Sequence, residues 1–482
     1  MRNRAAFVAL AVAACVFASQ SFAVDRPSKP NIVIFLSDDM GWGQLGYQGG
    51  KDIPTPNIDR IAAEGTRLTQ FYVCSVCSPS RASLMTGRYP FHNGMEERTH
   101  GADTGGMLPD ERTLAQALRD AGYYTAILGK WHLGSWYSRH LPMQRGFDHQ
   151  YGYYGALIDT FTKMREGVYD WHRDQQPINE PGYTTFLIAD EFARTLDRLD
   201  PAKPFFFYVA FNAVHGPHDA PPEYLKKYES VKGGRAKEYP MLECMDVAIG
   251  RMLDSLKQKG LLDNTLVIFF NDNGAPAGIG NAPYRGHKGE NYEGGVRVAC
   301  ALRWPGHVKS GATVDEMLHA VDLYPTLVKL AGGSPAQPLP LDGRDAWPTI
   351  TDDQPTPHKE IVLSVPGFDR SETGPASIRV GDLKLVGDEL YDIRNDPYEK
   401  QNIAAQRPDE VRQMKSRLRQ LAAERRPPEP HGRIPVSPLL LLGEDENKKP
   451  LPEWLTKLAA EHRDAAPKGK KGKKRAKVNP DE

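Results

Sequence analysis

Asn31-Ile-Val-Ile-Phe-Leu36 is a continuous apolar run rich in β-branched residues, and it breaks off at Ser37-Asp38-Asp39. A run this short, bounded by polar residues, suits a strand buried on both faces, as in a parallel sheet covered by helices. Three more segments repeat the pattern. Tyr123–Leu128 leads into Gly129-Lys130-Trp131-His132, Pro204–Phe211 into Asn212-Ala-Val-His215-Gly-Pro-His218, and Leu266–Phe270 into Asn271-Asp272-Asn273-Gly274. Each strand hands Asp, Asn, Lys or His to the loop at its C-terminal end. Open α/β sheets bind ligands along that edge, so the repetition predicts an α/β fold with a polar site there.

Between the strands the helical period returns. Ile58 to Glu64 reads as a helix stopped by Gly65 and Thr113 to Asp120 as one stopped by Gly122, while Phe186–Leu199 and Leu242–Lys257 carry a helical apolar repeat. Asp322 is placed to cap a helix from Leu323 to Leu330, which Gly332-Gly333 would end. Pro and Gly become dense from Pro335 to Pro357, which divides a first domain (24–350) from a smaller α+β unit (351–426). In that unit Ile361–Ser364, Ser377–Val380 and Leu383–Val386 read as strands, Gly381-Asp382 as a turn and Asp409–Ala423 as a closing helix. Residues 427–482 are proline-rich as far as Pro452 and basic from Lys468 to Lys477, so disorder is expected over part of them. Contact with an anionic glycan is the alternative for the basic run.

Cys77-Ser-Pro-Ser-Arg81 reads as a helix start, with Ser78 as cap and Pro79 at the first helical position. A side chain just ahead of a helix N-terminus sits in positive potential, which favours an anion at Cys77. Half a zinc site or a redox pair at Cys74-x-x-Cys77 is the competing reading, but the chain has no second Cys-x-x-Cys and no thioredoxin pattern. Adjacent carboxylates at Asp38 and Asp39 are costly together unless a cation neutralises them, although an Asp-Asp pair alone is also an ordinary polar loop. With Asp272 and Asn273 they offer only oxygen, which suits Ca²⁺ or Mg²⁺ rather than zinc.

At 482 residues and 40% hydrophobic content the chain can bury a large core, most simply in two domains. Sixty-one Lys and Arg balance 61 Asp and Glu, which gives no sign of a nucleic-acid partner. Residues 1–23 combine Arg2 and Arg4 with an apolar run and Ser21-Phe-Ala23, a cleaved export signal in form. That implies a periplasmic or secreted protein; a lipoprotein anchored through Cys15 is the alternative. No later stretch has the ~20 apolar residues of a membrane span. If Cys77 is modified, at most one disulfide is left to the mature chain, so the core must hold the fold.

Taken together these motifs resemble, in order from Asp38 to Asn402, the type I sulfatases. The resemblance implies an alkaline-phosphatase-like fold: a large, mostly parallel sheet flanked by helices, then a smaller domain with an antiparallel sheet and a helix. It implies conversion of Cys77 to formylglycine by a formylglycine-generating or sulfatase-maturing enzyme. Asp38, Asp39, Asp272 and Asn273 would hold one Ca²⁺, less readily Mg²⁺, together with the modified Cys77. Arg81 would steady the formylglycine, Lys130 and Lys288 would bind sulfate oxygens, His132 would be base for the second hydroxyl, and His215 would meet the ester oxygen or protonate the leaving alcohol. Lys288 lies in Arg285-Gly-His-Lys-Gly-Glu-Asn-Tyr-Glu-Gly-Gly-Val-Arg297, which is similar to the family's lysine motif almost throughout. Ala213-Val-His-Gly-Pro217 departs from the usual Ala-Pro-His-x-Pro by one valine. Implied is a cycle in which the hydrated aldehyde attacks sulfur and later releases sulfate through its second hydroxyl.

Phe147-Asp-His-Gln-Tyr-Gly152, Asp170-Trp-His-Arg-Asp174, Tyr224-Leu and the Asp322-Leu-Tyr-Pro helix look most like the arylsulfatase B group. That points to 4-sulfated N-acetylgalactosamine in chondroitin or dermatan sulfate. Gly155–Arg165 departs from that group's human-type pattern, which leaves another sulfated polysaccharide open. Two further readings compete: a phosphonate monoester or phosphodiester hydrolase of the same superfamily, and a catalytically dead glycan-binding protein if Cys77 stays a thiol. His149, His218 and His287 are expected to be structural.

Overall fold

A computed structural model of the chain describes residues 29–458 except 98, 100–103, 166–167, 233–234, 368–373, 431 and 433–451. The export signal and Cys15 lie outside the described residues, as do Lys468–Lys477. The main sheet is built on β1 (Asn31–Ser37), β2 (Thr66–Tyr72), β3 (Tyr124–Lys130), β4 (His149–Tyr153), β5 (Phe205–Ala210), β6 (Thr265–Asn271) and β7 (Arg297–Arg303). Its order is Ala312–Val314, β2, β7, β6, β1, β5, β3, β4, His172–Arg173, Gln176–Pro177. β1 runs parallel to β6 and β5, and β3 runs parallel to β5 and β4. β7 runs antiparallel to both β6 and β2, and His172–Arg173 runs antiparallel to β4, so the sheet is mostly parallel, as expected, with antiparallel strands toward both edges.

All seven residues of β1 are buried, as its unbroken apolar run requires. Val33 and Phe35 face one apolar layer, and Ile32, Ile34 and Leu36 face the other. The first layer is completed by α1 (Pro56–Ala63), α4 (Thr184–Arg198) and α5 (Arg235–Gln258), the second by α2 (Cys77–Thr86), α3 (Leu114–Asp120) and α6 (Leu323–Leu330). Fully burying one such Val, Ile, Leu or Phe side chain contributes ~1.5–3 kcal/mol, so two filled faces fix the register of the central strands.

The C-terminal unit is an antiparallel sheet of β8 (Glu360–Ser364), β9 (Ser377–Val380), β10 (Leu383–Val386) and β11 (Glu389–Asp392), with α7 (Pro408–Ala423) packed on it. Ile361, Ile378, Leu385, Leu390, Met414 and Leu418 share one cluster with Tyr72, Tyr89, Phe91 and Val296 of the larger unit. After α7 the described residues pack on the larger unit, while most of the tail expected to be partly disordered lies outside them. Arg426 donates its backbone N–H to the Phe91 carbonyl and pairs with Asp110 and Glu111, while Leu455 is buried and Trp454 meets Tyr169 edge-on. No helix among the described residues is long and apolar enough to cross a membrane.

Two caps differ from their sequence reading. Val76, extended at φ −143°, precedes the first turn of α2, so Ser78 lies within the helix and its hydroxyl accepts from the Thr99 N–H. Asp322 precedes α6 without capping it; its carboxylate takes the His319 and Arg344 N–H groups and lies 2.6 Å from His358 Nε2. In both, a tertiary partner outcompetes the local hydrogen bond.

Candidate active site

The strand registers set the site. Ser37 stands opposite Asn271, Leu36 and Gly129 both stand opposite Ala210, and Lys130 stands opposite Tyr153. The residues that follow β1, β5 and β6 therefore reach one edge of the sheet beside Lys130. Asp39 and His132 sit there with φ of 62° and 60°, left-handed backbone that a non-glycine residue adopts at some cost. Gly274 has no alternative: a Cβ there would lie 1.8 Å from the Gly294 carbonyl oxygen, where the loop after β6 crosses the one carrying Lys288.

α2 aims its N-terminus into this edge. Every residue of the helix is buried, polar ones included. The Ser80 hydroxyl accepts from the Cys74 N–H, and Gly87 ends the helix in the left-handed region. Cys77 is 1% exposed, and burial pushes its thiol up while Lys130 and Lys288 pull the other way. The expected preference for an anion is thus outweighed by desolvation, and the unmodified side chain is a neutral thiol. Cys74, Cys77, Cys244 and Cys300 are all free.

Around Cys77 three carboxylates face three permanent cations. Arg81, fully buried, donates to Asp272 Oδ2 from Nε (3.0 Å) and Nη2 (2.8 Å), and Nη2 lies 3.4 Å from Asp38. Lys130 Nζ donates to Asp38 Oδ2 at 2.6 Å, and Lys288 Nζ lies 2.6 Å from Asp39 Oδ1. Burial pushes Asp38 up, but Lys130, His215 and Arg81 more than offset it and hold it well below the usual carboxylate range. Asp272 goes the other way: burial and the neighbouring Asp38 charge push it up to about 7. Burial pushes Lys288 down, and Cys77, Asp39 and Asp38 override that to raise it.

The donor set fits a hard divalent cation. Asp38 Oδ1 and Asn273 Oδ1 are buried without a hydrogen-bond partner among the described residues, a cost that a metal ligand bond removes. One ligand atom each from Asp38, Cys77 and Asp272 lie within 4.8 Å of one another, as do those of Asp38, Asp39 and His215. The Cys77 sulfur marks where oxygen of a modified residue would complete an all-oxygen set.

Two histidines flank the cluster, and burial lowers the proton affinity of both. His132 Nε2 lies 2.8 Å from the Thr99 carbonyl, to which it must donate, and this leaves Nδ1 as a buried acceptor with no partner among the described residues. Burial and the nearby Lys130 and Arg81 charges lower its proton affinity well below the ordinary value, so the ring is neutral. His215 Nδ1 lies 2.6 Å from the Gly216 carbonyl, and Nε2 points 3.5 Å from Asp39 Oδ2. Burial lowers His215 too, Asp38 and Asp39 opposing. Its strand end is pinned by two bonds, Asp38 N–H to the Ala213 carbonyl and Val214 N–H to the Asp38 carbonyl.

All ten candidate residues therefore converge at one edge, and several unforeseen ones join them. Tyr153 is 1% exposed, with a hydroxyl that has no partner among the described residues, and after burial the Asp38 charge is the main cause of its raised pKa. Tyr208 accepts from Arg81 Nη1 at 3.4 Å, and Ser37 donates to Asn271 at 2.7 Å beneath the Asp39 turn. As aromatic or small residues within strands, these read as core. His149 stays outside, paired with Asp174 and Glu191.

The sulfatase family model matches residues 30–334, and the model for the C-terminal part of N-sulphoglucosamine sulphohydrolase matches residues 287–424. The chain belongs to the sulfatase family and has the alkaline-phosphatase-like fold. Arylsulfatase J of Mus musculus is 35% identical over 363 residues, 72% of this chain and 60% of that protein. N-acetylgalactosamine-6-sulfatase of Homo sapiens is 35% identical over 352 residues, 67% of this chain and 66% of that protein. The chain thus spans somewhat under two thirds of the length of both. Ps i-CgsB, solved also in complex with k-i-k-neocarrahexaose, superposes with a TM-score of 0.77 at 29% identity, covering 91% of this chain and 99% of that one. These relatives do not single out an arylsulfatase B-like subgroup.

Proposed function

We propose that this chain hydrolyses the sulfate ester of a sulfated glycan, using a formylglycine made from Cys77 and a bound divalent cation, Ca²⁺ before Mg²⁺. The observation that carries the reading is the charge balance around Cys77. Asp38, Asp39 and Asp272 are matched by Arg81, Lys130 and Lys288, so a divalent cation together with a dianion-like sulfuryl group leaves the buried site neutral.

When present, formylglycine supplies as its hydrate both a nucleophile and a second hydroxyl, and the cation, held by Asp38, Asp39, Asp272 and Asn273, draws charge from the sulfate oxygens. The chain's own side chains do the rest. Arg81 is locked against Asp272 and fixes the position of residue 77. Lys130 and Lys288, paired with Asp38 and Asp39 respectively, offer N–H donors to non-bridging oxygens as charge builds on them. His132, neutral with a free Nδ1, is suited to take the proton of the second hydroxyl. His215 Nε2 would meet the ester oxygen; in the neutral ring the proton sits on Nδ1 against the Gly216 carbonyl, so protonating the leaving alcohol would take the imidazolium form. Since Cys77 is 1% exposed inside a buried helix, the maturing enzyme must act before the chain folds. Export of the chain follows the same reading.

A glycan as the alcohol is supported by the relatives named for N-acetylgalactosamine 6-sulfate and by the neocarrahexaose complex of Ps i-CgsB. From the sequence, the 4-sulfate of N-acetylgalactosamine is the first candidate. Sulfate release from defined 4-sulfated and 6-sulfated N-acetylgalactosamine oligosaccharides, a carrageenan oligosaccharide and an aryl sulfate, with a phosphonate monoester alongside, tests the proposal. Turnover of the phosphonate with none of the sulfates would refute it.

A further inference from the structure

The loop that presents Lys288 belongs to the larger unit, yet the C-terminal sheet holds both of its ends. At one end Arg285 Nη1 donates to the Tyr391 hydroxyl (2.6 Å) and to the Glu399 carbonyl (3.2 Å), with its guanidinium over the Tyr292 ring. Asn291 Nδ2 donates to the Pro375 carbonyl at 2.7 Å. At the other end lies a buried charge network. Lys384 Nζ, on β10, donates to Glu293 Oε1 at 2.7 Å and lies 2.9 Å from Glu399 Oε1. Glu399 Oε2 accepts the Glu293 backbone N–H at 2.7 Å, and Glu293 Oε2 accepts from Tyr72 and Arg297. Lys384 and Glu293 are fully buried and Glu399 is 1% exposed.

Buried ion pairs contribute little net stability compared with apolar packing of the same volume, and the Ile378, Leu385 and Leu390 cluster already joins the two units. What the network adds is direction, because it fixes the backbone at Glu293 as well as its side chain. Between Arg285 and Glu293 the larger unit holds the loop through Lys288 N–H to the Ala275 carbonyl, Gly289 N–H to the Ser75 carbonyl, Asn281 Nδ2 to the Gly286 carbonyl, and the Lys288–Asp39 pair itself. Lys288 thus lies between two loop ends that the C-terminal unit helps to hold.

We propose that Lys384 and Glu399, with Arg285 at the far end, are positioning residues that set the reach of Lys288 toward the sulfuryl group, so that the C-terminal unit is a working part of the active site. This rests on the sulfatase reading of Lys288. A displacement of ~1 Å at a reacting centre costs up to ~10²-fold, so Lys384→Met is expected to lower kcat/KM by about 10- to 100-fold, mainly in kcat. Arg285→Ala, whose side chain is 41% exposed, is expected to lose about 10-fold and to fold normally.

The test is a mutant cycle with Lys288→Ala, on protein whose fold is verified by thermal melting. If Lys384 and Arg285 act through Lys288, their losses shrink to under about 3-fold once Lys288 is alanine, because the position they set no longer matters. Arg394→Ala, 74% exposed in the same unit, is the unchanged control. Losses that multiply in full with Lys288→Ala, or folded variants with wild-type kcat/KM, would overturn the positioning role alone. A fully active Lys288→Ala would overturn the sulfatase assignment of that lysine and the positioning role with it. Should Lys384→Met fail to fold, Arg285→Ala and Glu399→Gln decide by the same criterion.

Discussion

Adding calcium to chelated, Cys77-converted protein perturbs the cluster of Asp38, Asp39, Asp272 and Asn273 directly, and its effect can be sized. A ligand that binds only the folded state at a hundred times its Kd stabilises by about 2.7 kcal/mol. Unfolding entropy of ~2.1 cal/mol/K per residue over 482 residues is about 1 kcal/mol/K, so Tm should rise by about 3 °C. The shift should depend on pH. Burial and Asp38 raise Asp272 to about 7 in the cation-free site, and the ion must displace that proton. Above pH 7 the affinity is fully expressed; each unit below weakens it about tenfold, so at pH 6 the same calcium concentration should give about 1.5 °C. Differential scanning calorimetry at pH 8 and pH 6, with and without chelator, reads both numbers. Asp272→Asn removes the charge and weakens the charge-assisted bonds from Arg81, and should nearly abolish the shift. An unchanged shift in that variant, or zinc stabilising better than calcium, would refute an all-oxygen cation site.

Cys77→Ala should abolish sulfate release while the melt changes little, and Cys77→Ser should stall with a sulfate ester on the serine, visible by mass, because a serine has no second hydroxyl to expel it. Lys130→Ala and Lys288→Ala should each lose about 10² to 10³ in kcat/KM, with the arginine variants recovering only part, since a planar fork reaches oxygens from other directions. Lys203→Ala, exposed before β5, should leave kinetics unchanged. Away from the site, burial raises Glu191, but hydrogen bonds from His149 and Arg173 more than offset this and bring it to about 2. Its folded pKa lies below the unfolded one, so its stabilisation is complete above pH ~4.5 and lost as pH falls toward 2. Glu191→Gln should therefore destabilise at pH 6 and match wild type near pH 2 in denaturant titrations.

The four central strands and their site residues were legible because each is an unbroken apolar run with an abrupt polar end. β2 and β7 were not. Thr66–Tyr72 carries Arg67, Thr69 and Gln70, and Arg297–Arg303 begins and ends in arginine; those two guanidinia are satisfied inside the sheet by Glu293 and the Thr69 carbonyl, and by Glu64, Asp263 and the Leu262 carbonyl, most of them on other elements. For the same reason a helix-start pattern located α2 but misplaced its first turn, whose Ser78 hydroxyl serves Thr99. The polar segment after α7 has too few apolar residues to announce that Arg425 and Arg426 dock on Glu96, Asp110 and Glu111. Tyr153 looks like any strand aromatic until its hydroxyl is seen without a partner beside Asp38.

Mass spectrometry of the tryptic peptide Leu68–Arg81, from protein isolated from its own source, tests the chemistry at Cys77 most directly. Conversion of the thiol to an aldehyde should lower the peptide mass by about 18 Da, a covalent change of the kind sequence does not display. A peptide carrying that loss, in a preparation whose sulfate release tracks its abundance, is the expected result. A peptide of unmodified mass in a preparation that still releases sulfate would contradict it.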